Sequence, residues 1–97
     1  MRYNIIMSEE TFLDNIGKRK EFFLKLTKRI EKGEYSIHNL IDRKGRKAMF
    51  YRCSGDIPFK ENDCILVKAT VKEHREYKDE PQTYLNRVTI IKNVGAR

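Results

Sequence analysis

Aromatic rings and basic side chains stand close together in several short segments of the chain. This pairing suits a flexible polyanion with exposed bases, because cations neutralise backbone phosphates and rings stack on unpaired bases. Each stacked base contributes about 1–3 kcal/mol of binding free energy. The residues that supply a ring or a basic group in these segments are Lys28, Arg29, Tyr35, His38, Lys47, Phe50, Tyr51, Arg52, Lys72, His74, Arg75, Tyr77 and Lys78.

Side chains that could carry out covalent chemistry are sparse by comparison. The chain has no glycine-rich phosphate loop and offers no set of Ser, His and Asp residues that would nominate a catalytic triad. Several aspartates fall in predicted turns, where this residue is common for backbone reasons: Asp42, Asp56, Asp63 and Asp79. We therefore expect a binding protein and not an enzyme.

The cysteines and histidines do not form a metal-binding pattern. No C-x-x-C or H-x-x-x-H pair occurs among Cys53, Cys64, His38 and His74. Two cysteines in a chain without a secretion signal are typical of reduced, partly buried thiols. We expect no metal, no cofactor and no disulfide framework.

Charge and length indicate one small domain with an anionic partner. The 97 residues include 21 Lys and Arg against 14 Asp and Glu, a formal net charge of +7. Such a positive field attracts polyanions, although charge also serves solubility. The chain has no apolar stretch long enough for a signal peptide or a membrane span. These features predict a single cytoplasmic domain over residues 1–97, with no membrane association.

Periodicity predicts a short helix near the start of the chain. After an irregular lead-in at residues 1–7, Ser8 is a suitable N-cap, and acidic residues follow in the first turn. Apolar residues recur on one side up to Ile16, and Gly17 ends the pattern. We expect this helix, over residues 8–16, to cap one end of the structure that follows.

Five strands are predicted after the helix, because the polarity changes to a period of two. The first, beginning at Lys18, has Phe22, Leu24, Leu26 and Ile30 on one face, with Phe23 on the other, where we expect it to pack against the helix. A hairpin turn at Asp42–Gly45 requires a positive φ at its glycine. The remaining strands are predicted at 35–41, 47–53, 64–76 and 82–91, with a turn at 77–81 and a trailing end at 93–97.

Five short, half-polar strands in so small a chain bury their apolar faces best by closing into a barrel, which also removes exposed strand edges. The predicted fold is all-β, a five-stranded OB-fold Greek-key barrel over residues 18–92 preceded by the short helix. A small SH3-like barrel or an open meander is the alternative.

An ordered motif runs through the segment Val67–Val88. Its residues are Thr70, Val71, Lys72, His74, Tyr77, Lys78, Gln82, Thr83, Leu85 and Arg87. This motif resembles the last two strands of OB-fold domains in phage replication proteins, which read T-V-K-x-H-x-x-Y-K-G-x-x-Q-T-x-L-x-R. More loosely, Ile16–Arg19 and the Asp42–Gly45 turn followed by an aromatic residue resemble the upstream part, so the resemblance spans residues 16–92.

The resemblance implies a single-stranded DNA-binding domain of phage type, without catalytic residues, that acts in the host cytoplasm. OB-folds bind ligands on strands two and three, flanked by the loops between strands one and two and between strands four and five. The resemblance adds Arg87 to the contact residues and favours Phe50, where the family has tryptophan, as the stacking ring, with Tyr51 filling the barrel. Asp79 stands where the family has glycine, and aspartate tolerates the left-handed conformation.

The primary hypothesis is a largely sequence-independent single-stranded DNA-binding protein that acts in replication or recombination. In this interpretation Tyr35 is either a stacking ring or a core residue, and His74 either contacts the ligand or only makes surface hydrogen bonds. A second hypothesis is an OB-fold protein-interaction module that docks a replication protein through apolar residues such as Phe23 and Leu66. A third is RNA binding. Oligonucleotide binding that weakens with salt would distinguish the first from the second.

Overall fold

Five strands form a closed barrel in the part of the chain that the structure, a computed structural model, describes: residues 11–53 and 59–96. The strands are β1 (Arg19–Glu31), β2 (Tyr35–Ile41), β3 (Lys47–Cys53), β4 (Asp63–Tyr77) and β5 (Glu80–Ala96). They close in the order β1-β2-β3-β5-β4. Neighbours are antiparallel except for β3 and β5, which pair in parallel. The predicted all-β, five-stranded barrel is confirmed, and the arrangement is consistent with an OB-fold.

The core forms because each strand turns its apolar residues to the inside of the barrel. On β4 these are the alternate residues Ile65, Val67, Ala69 and Val71, and all four are fully buried. Burying a side chain such as Ile or Val contributes roughly 1.5–3 kcal/mol relative to leaving it in water. The other strands add Leu24, Leu26, Leu40, Phe50 and Leu85 to the same core.

A β-bulge in β1 changes which side chains face outward. Leu26 pairs with Leu40 in the core, but the register then shifts by one residue, so that Lys28 pairs with Asn39. Residues opposite one another in a ladder share a face. Ile30 therefore lies outside and half-buried, and the prediction that it shares a face with Leu26 is wrong, because alternation alone does not reveal an inserted residue.

The turn between β4 and β5 is tighter than predicted. Tyr77 pairs with Glu80, which leaves Lys78 and Asp79 as a two-residue turn. Both have positive φ, 53° and 67°, as a type I′ hairpin requires, so Asp79 does adopt the left-handed conformation. At the other end, β5 continues to Ala96, so that the predicted trailing end is strand.

The predicted helix over residues 8–16 is not seen in the described part of the chain. The lead-in 1–7 and residues 8–10 lie outside the described residues, as does Asp56. Thr11 has helical backbone, but residues 12–17 form bends and a turn. One reason is local: the Asp14 carboxylate accepts the Asn15 backbone N–H at 2.7 Å, a bond that competes with helical pairing. No helix within 11–53 and 59–96 is long and apolar enough to cross a membrane.

Residues 11–17, the N-terminal segment, nevertheless pack against the barrel. Leu13 is buried in the core cluster, and its backbone N–H donates to Thr83 Oγ1 at 3.0 Å. The Gly17 N–H donates to the Val71 carbonyl at 2.7 Å. Bonds to β4 and β5 thus fix this segment in place of the hydrogen bonds of a helix.

Candidate functional site

The outer face of β2 and β3 carries two exposed aromatic rings. On β2, Ser36, His38 and Leu40 point inward, so Tyr35 points outward. On β3, Leu40 pairs with Ala48 on the inside, which turns Tyr51 to the outside. Tyr35 and Tyr51 are each more than 40% exposed, so these two rings are available to a ligand.

Three tyrosines from three strands form a continuous row on this face. The ring centroids of Tyr35 and Tyr51 are 5.9 Å apart, and those of Tyr51 and Tyr84 are 5.5 Å apart. Both pairs meet edge to face, an arrangement that contributes about 0.5–1.5 kcal/mol beyond the buried area. We call Tyr35, Tyr51 and Tyr84 the tyrosine row. Its rings hold one another in position on the outside of the barrel.

A fixed cation ends the tyrosine row. The guanidinium carbon of Arg75 lies 4.1 Å from the centroid of the Tyr84 ring, a cation–π contact. Arg75 also pairs with Glu73 at 2.8 Å. Hydrogen bonds to Glu73 and, secondarily, to Tyr51 raise the pKa of Arg75 above its ordinary value. The charge is therefore both permanent and held beside the rings.

Beside the row is an open cleft of about 400 Å³. It lies between the outer faces of β1, β2 and β3 and the turn that joins β4 to β5. We call it the lysine cleft; its lining includes Lys28, Asn39, Lys47, Tyr77, Lys78 and Gln82. The bulge in β1 is what brings Lys28 to this face, opposite Asn39.

The lysines of the cleft differ in their partners. Lys47 forms an ion pair with Glu80 across the cleft. Lys78 Nζ lies 5.4 Å from the centroid of the neighbouring Tyr77 ring. Within residues 11–53 and 59–96, no carboxylate lies within ion-pairing distance of Lys28 or Lys78. These two cations remain available for an anionic ligand.

Phe50, predicted as the stacking ring of β3, lies in the core. It is 0% exposed and packs against Phe59 and His38, with ring centroids 6.2 Å and 5.1 Å away. No face of the ring is left for a base, so the predicted assignment of the two faces is reversed. Tyr51, predicted to fill the barrel, presents the exposed ring.

His38 is also a core residue and not a contact residue. Its side chain is fully buried, and its Nε2 hydrogen bonds with Ser36 Oγ at 2.8 Å, while Nδ1 has no partner in the described chain. Burial, reinforced by the positive charges of Arg29 and Arg52, lowers the pKa of His38 to about 4. Arg29 in turn donates to the Phe59 carbonyl at 3.0 Å. This group closes one end of the barrel rather than forming part of the tyrosine row.

His74 holds the N-terminal segment to β4. Its ring stacks on Phe12, with centroids 4.0 Å apart and planes 5° from parallel, and its Nε2 contacts the Asp14 carbonyl at 2.8 Å. Arg75, the next residue, points to the tyrosine row, so His74 faces the opposite side of the strand. Of its two predicted roles, the structure shows the hydrogen-bonding one.

Two further predicted contact residues lie apart from the tyrosine row. Lys72 is exposed in the β4 bulge between Val71 and Glu73 and lines neither the row nor the lysine cleft. The Arg87 carbonyl accepts a hydrogen bond at 2.7 Å from Arg19, which lies on β1. The structure therefore gathers Lys28, Tyr35, Lys47, Arg75, Tyr77 and Lys78 on one face and adds Tyr51 and Tyr84.

Among the described residues, no three His, Cys, Asp or Glu side chains lie close enough together to hold a metal ion. Cys53 and Cys64 are free thiols, the first exposed and the second buried. Comparison of the chain with protein-family models, with curated proteins and with solved structures finds no match in any of the three.

Proposed function

We propose that this chain is an OB-fold domain that binds single-stranded DNA along the outer face of β2 and β3, as an accessory of replication or recombination. The main observation behind the proposal is the presence of the tyrosine row on this face. The strand order supports it, because an OB-fold binds oligonucleotides on this face, between the β1–β2 and β4–β5 loops. Most of the binding is independent of sequence.

Stacking supplies the part of the affinity that requires unpaired bases. Tyr35 and Tyr51 keep more than two fifths of their surface exposed while their neighbours hold them in place. A ring that is already ordered loses little conformational entropy on binding. Every base has a flat face, so stacking on such rings tolerates any sequence.

Phosphate contacts supply the part of the affinity that depends on salt. Arg75 lies at one end of the tyrosine row, and Lys28 and Lys78 lie in the cleft beside it. Cations beside a stacking surface bind the phosphates of a strand whose bases stack on the rings. The same charges would attract duplex DNA, but the row would then have no exposed base to stack on.

Fluorescence anisotropy with labelled oligo-dT and with a duplex of equal length tests the proposal. We expect tighter binding to oligo-dT, and we expect Tyr51→Ala to weaken it by about 1–3 kcal/mol. Phe23→Ala is the matched control, because Phe23 is as exposed as Tyr51, 42% for each, but lies on the outer face of β1 and β4. Equal or tighter duplex binding would contradict the proposal, as would equal losses in the two variants.

One observation favours a second candidate, a protein-interaction module. Phe23 was expected to pack against a helix, but it is exposed and pairs in the β1–β4 ladder with Leu66, which gives this face an apolar pair. A barrel that serves only to dock a replication protein would not bind oligo-dT. It would lose its partner on Phe23→Ala and keep it on Tyr51→Ala.

A further inference from the structure

Two side-chain amides meet in the lysine cleft. Gln82 Nε2 donates to Asn39 Oδ1 at 3.4 Å, which links the start of β5 to the middle of β2. The bond leaves the amide nitrogen of Asn39 as a donor and the oxygen of Gln82 as an acceptor. Turning both amides over reverses the bond and still leaves one donor and one acceptor. In the described chain neither remaining atom has a hydrogen-bond partner, and neither is buried.

The Watson–Crick edge of a nucleobase likewise has a hydrogen-bond donor next to an acceptor. Proteins that recognise single strands read such edges with side-chain amides once the base is unstacked. Asn39 and Gln82 thus line the cleft with the complementary pair of groups. Stacking alone, by contrast, distinguishes one base from another only weakly.

The size of the cleft matches this ligand. Its volume of about 400 Å³ is near the small end of the roughly 300–1,000 Å³ typical of ligand pockets, enough for one base and its sugar. Ile41 and Pro81 add apolar surface to the lining, and the Tyr77 ring lies at the turn. A mostly apolar lining with a few converging polar groups is the usual character of a small-ligand site.

The position of the cleft makes it continuous with the tyrosine row. Gln82 and Tyr84 are alternate residues of β5, so their side chains leave the same face of the strand about 7 Å apart. A strand whose bases stack along the row therefore reaches the amides within one further nucleotide. Lys28 and Lys78 then flank the phosphate of that nucleotide.

We infer that the lysine cleft holds one unpaired nucleobase of the bound strand and reads its hydrogen-bonding edge through Asn39 and Gln82. The inference rests on the proposed function and adds to it a single position at which the identity of the base matters. Elsewhere along the strand the binding stays indifferent to sequence.

Anisotropy titrations with oligo-dT, oligo-dA and oligo-dC of equal length test the inference. We expect the wild-type affinities to differ by about 5- to 150-fold between the best and the worst homopolymer, the range of one well-formed pair of base contacts. The variant N39A/Q82A should bind all three with the affinity that the wild type has for the worst. Tyr51→Ala is the control, since loss of a stacking ring lowers all three affinities and keeps their order.

The outcomes separate the inference from the function on which it rests. If the wild type binds the three homopolymers equally, the base-reading cleft is wrong and the single-strand proposal stands. If the order of the three affinities is unchanged in N39A/Q82A, the base-reading cleft is likewise wrong and the single-strand proposal stands. If no homopolymer binds, both are wrong. Gln82→Glu, which keeps the acceptor and removes the donor, should change the order, and thermal unfolding of each variant verifies that it is folded.

Discussion

Tyr51 and Tyr84 meet edge to face, with 5.5 Å between their centroids and 82° between their planes. They lie on β3 and β5, the two strands that pair in parallel, where Met49 is opposite Tyr84. The same pairing that closes the barrel therefore also assembles the row. The two rings are close enough to depend on each other for their orientation.

This dependence predicts that losses at the two positions are not additive. Tyr84→Ala should weaken oligo-dT binding, and it should also release Tyr51 on one side and Arg75 on the other. In a double-mutant cycle with Tyr51→Ala, the coupling free energy for oligo-dT binding should be about 0.5–1.5 kcal/mol, the strength of one aromatic pair. Strict additivity in anisotropy titrations would mean that the rings act independently.

A second prediction concerns salt. If three to six phosphates are neutralised, the logarithm of the oligo-dT binding constant should fall against the logarithm of salt with a slope of roughly −2 to −4. The double variant Lys28→Ala and Lys78→Ala should reduce the magnitude of that slope by about 1.4, because it removes two phosphate contacts. Lys68 and Lys92, exposed on β4 and β5, provide the matched control pair, and their loss should leave the slope within about 0.5 of the wild type. A slope that does not change in the first variant would place the phosphates elsewhere.

Acid should destabilise the barrel through His38. Its pKa is about 4 in the folded chain against 6.5 for an unperturbed histidine, so the unfolded chain takes up the proton first as the pH falls. The free energy of unfolding therefore decreases between pH 6.5 and pH 4, by up to roughly 3 kcal/mol. Urea unfolding at a series of pH values measures this decrease.

His38→Leu should remove most of the pH dependence in that window, and Ser36 Oγ would keep its 3.4 Å hydrogen bond to the Arg52 carbonyl. Hydrogen bonds from Lys20 and Asn93 hold the pKa values of Asp14 and Asp63 below their ordinary 3.8, so the stability that these two carboxylates contribute is lost mostly below this window. An unchanged pH dependence in this variant would assign the acid sensitivity to another group.

The positions of the strands could be predicted from the sequence. Which side chains of each strand face the core could be predicted only for some of the strands. Alternation in β4 separates Val67 and Val71 from lysines, which leaves no ambiguity. In β3, Phe50 and Tyr51 are both aromatic, so the pattern has two apolar faces. Pairing of Ala48 with Leu40 decides between them, and that pairing is a property of the register rather than of the segment.

Sequence reasoning did not identify the site residues whose position depends on pairing between strands that are far apart in the sequence. Tyr84 joins the row because β5 lies beside β3 in parallel, a neighbour relation between strands that are not consecutive. Gln82 was part of the recognised motif, but its meeting with Asn39 on β2 required the same closure. Lys28 was predicted, while the bulge that turns it outward was not.

The end of β4 and the start of β5 form a ribbon, and side chains on both of its faces make contacts. One side carries Arg75, Gln82 and Tyr84, and the other is fixed to the N-terminal segment through His74 and Thr83. The start of β5 pairs with β3 at Thr83 and Tyr84, and beyond these residues the ribbon is two-stranded, an arrangement that is at best marginally stable by itself in water. The N-terminal segment thus braces the ribbon from behind. Under the proposed function, the face that carries Arg75, Gln82 and Tyr84 is therefore already ordered before single-stranded DNA binds, and the entropy cost of ordering it is met during folding.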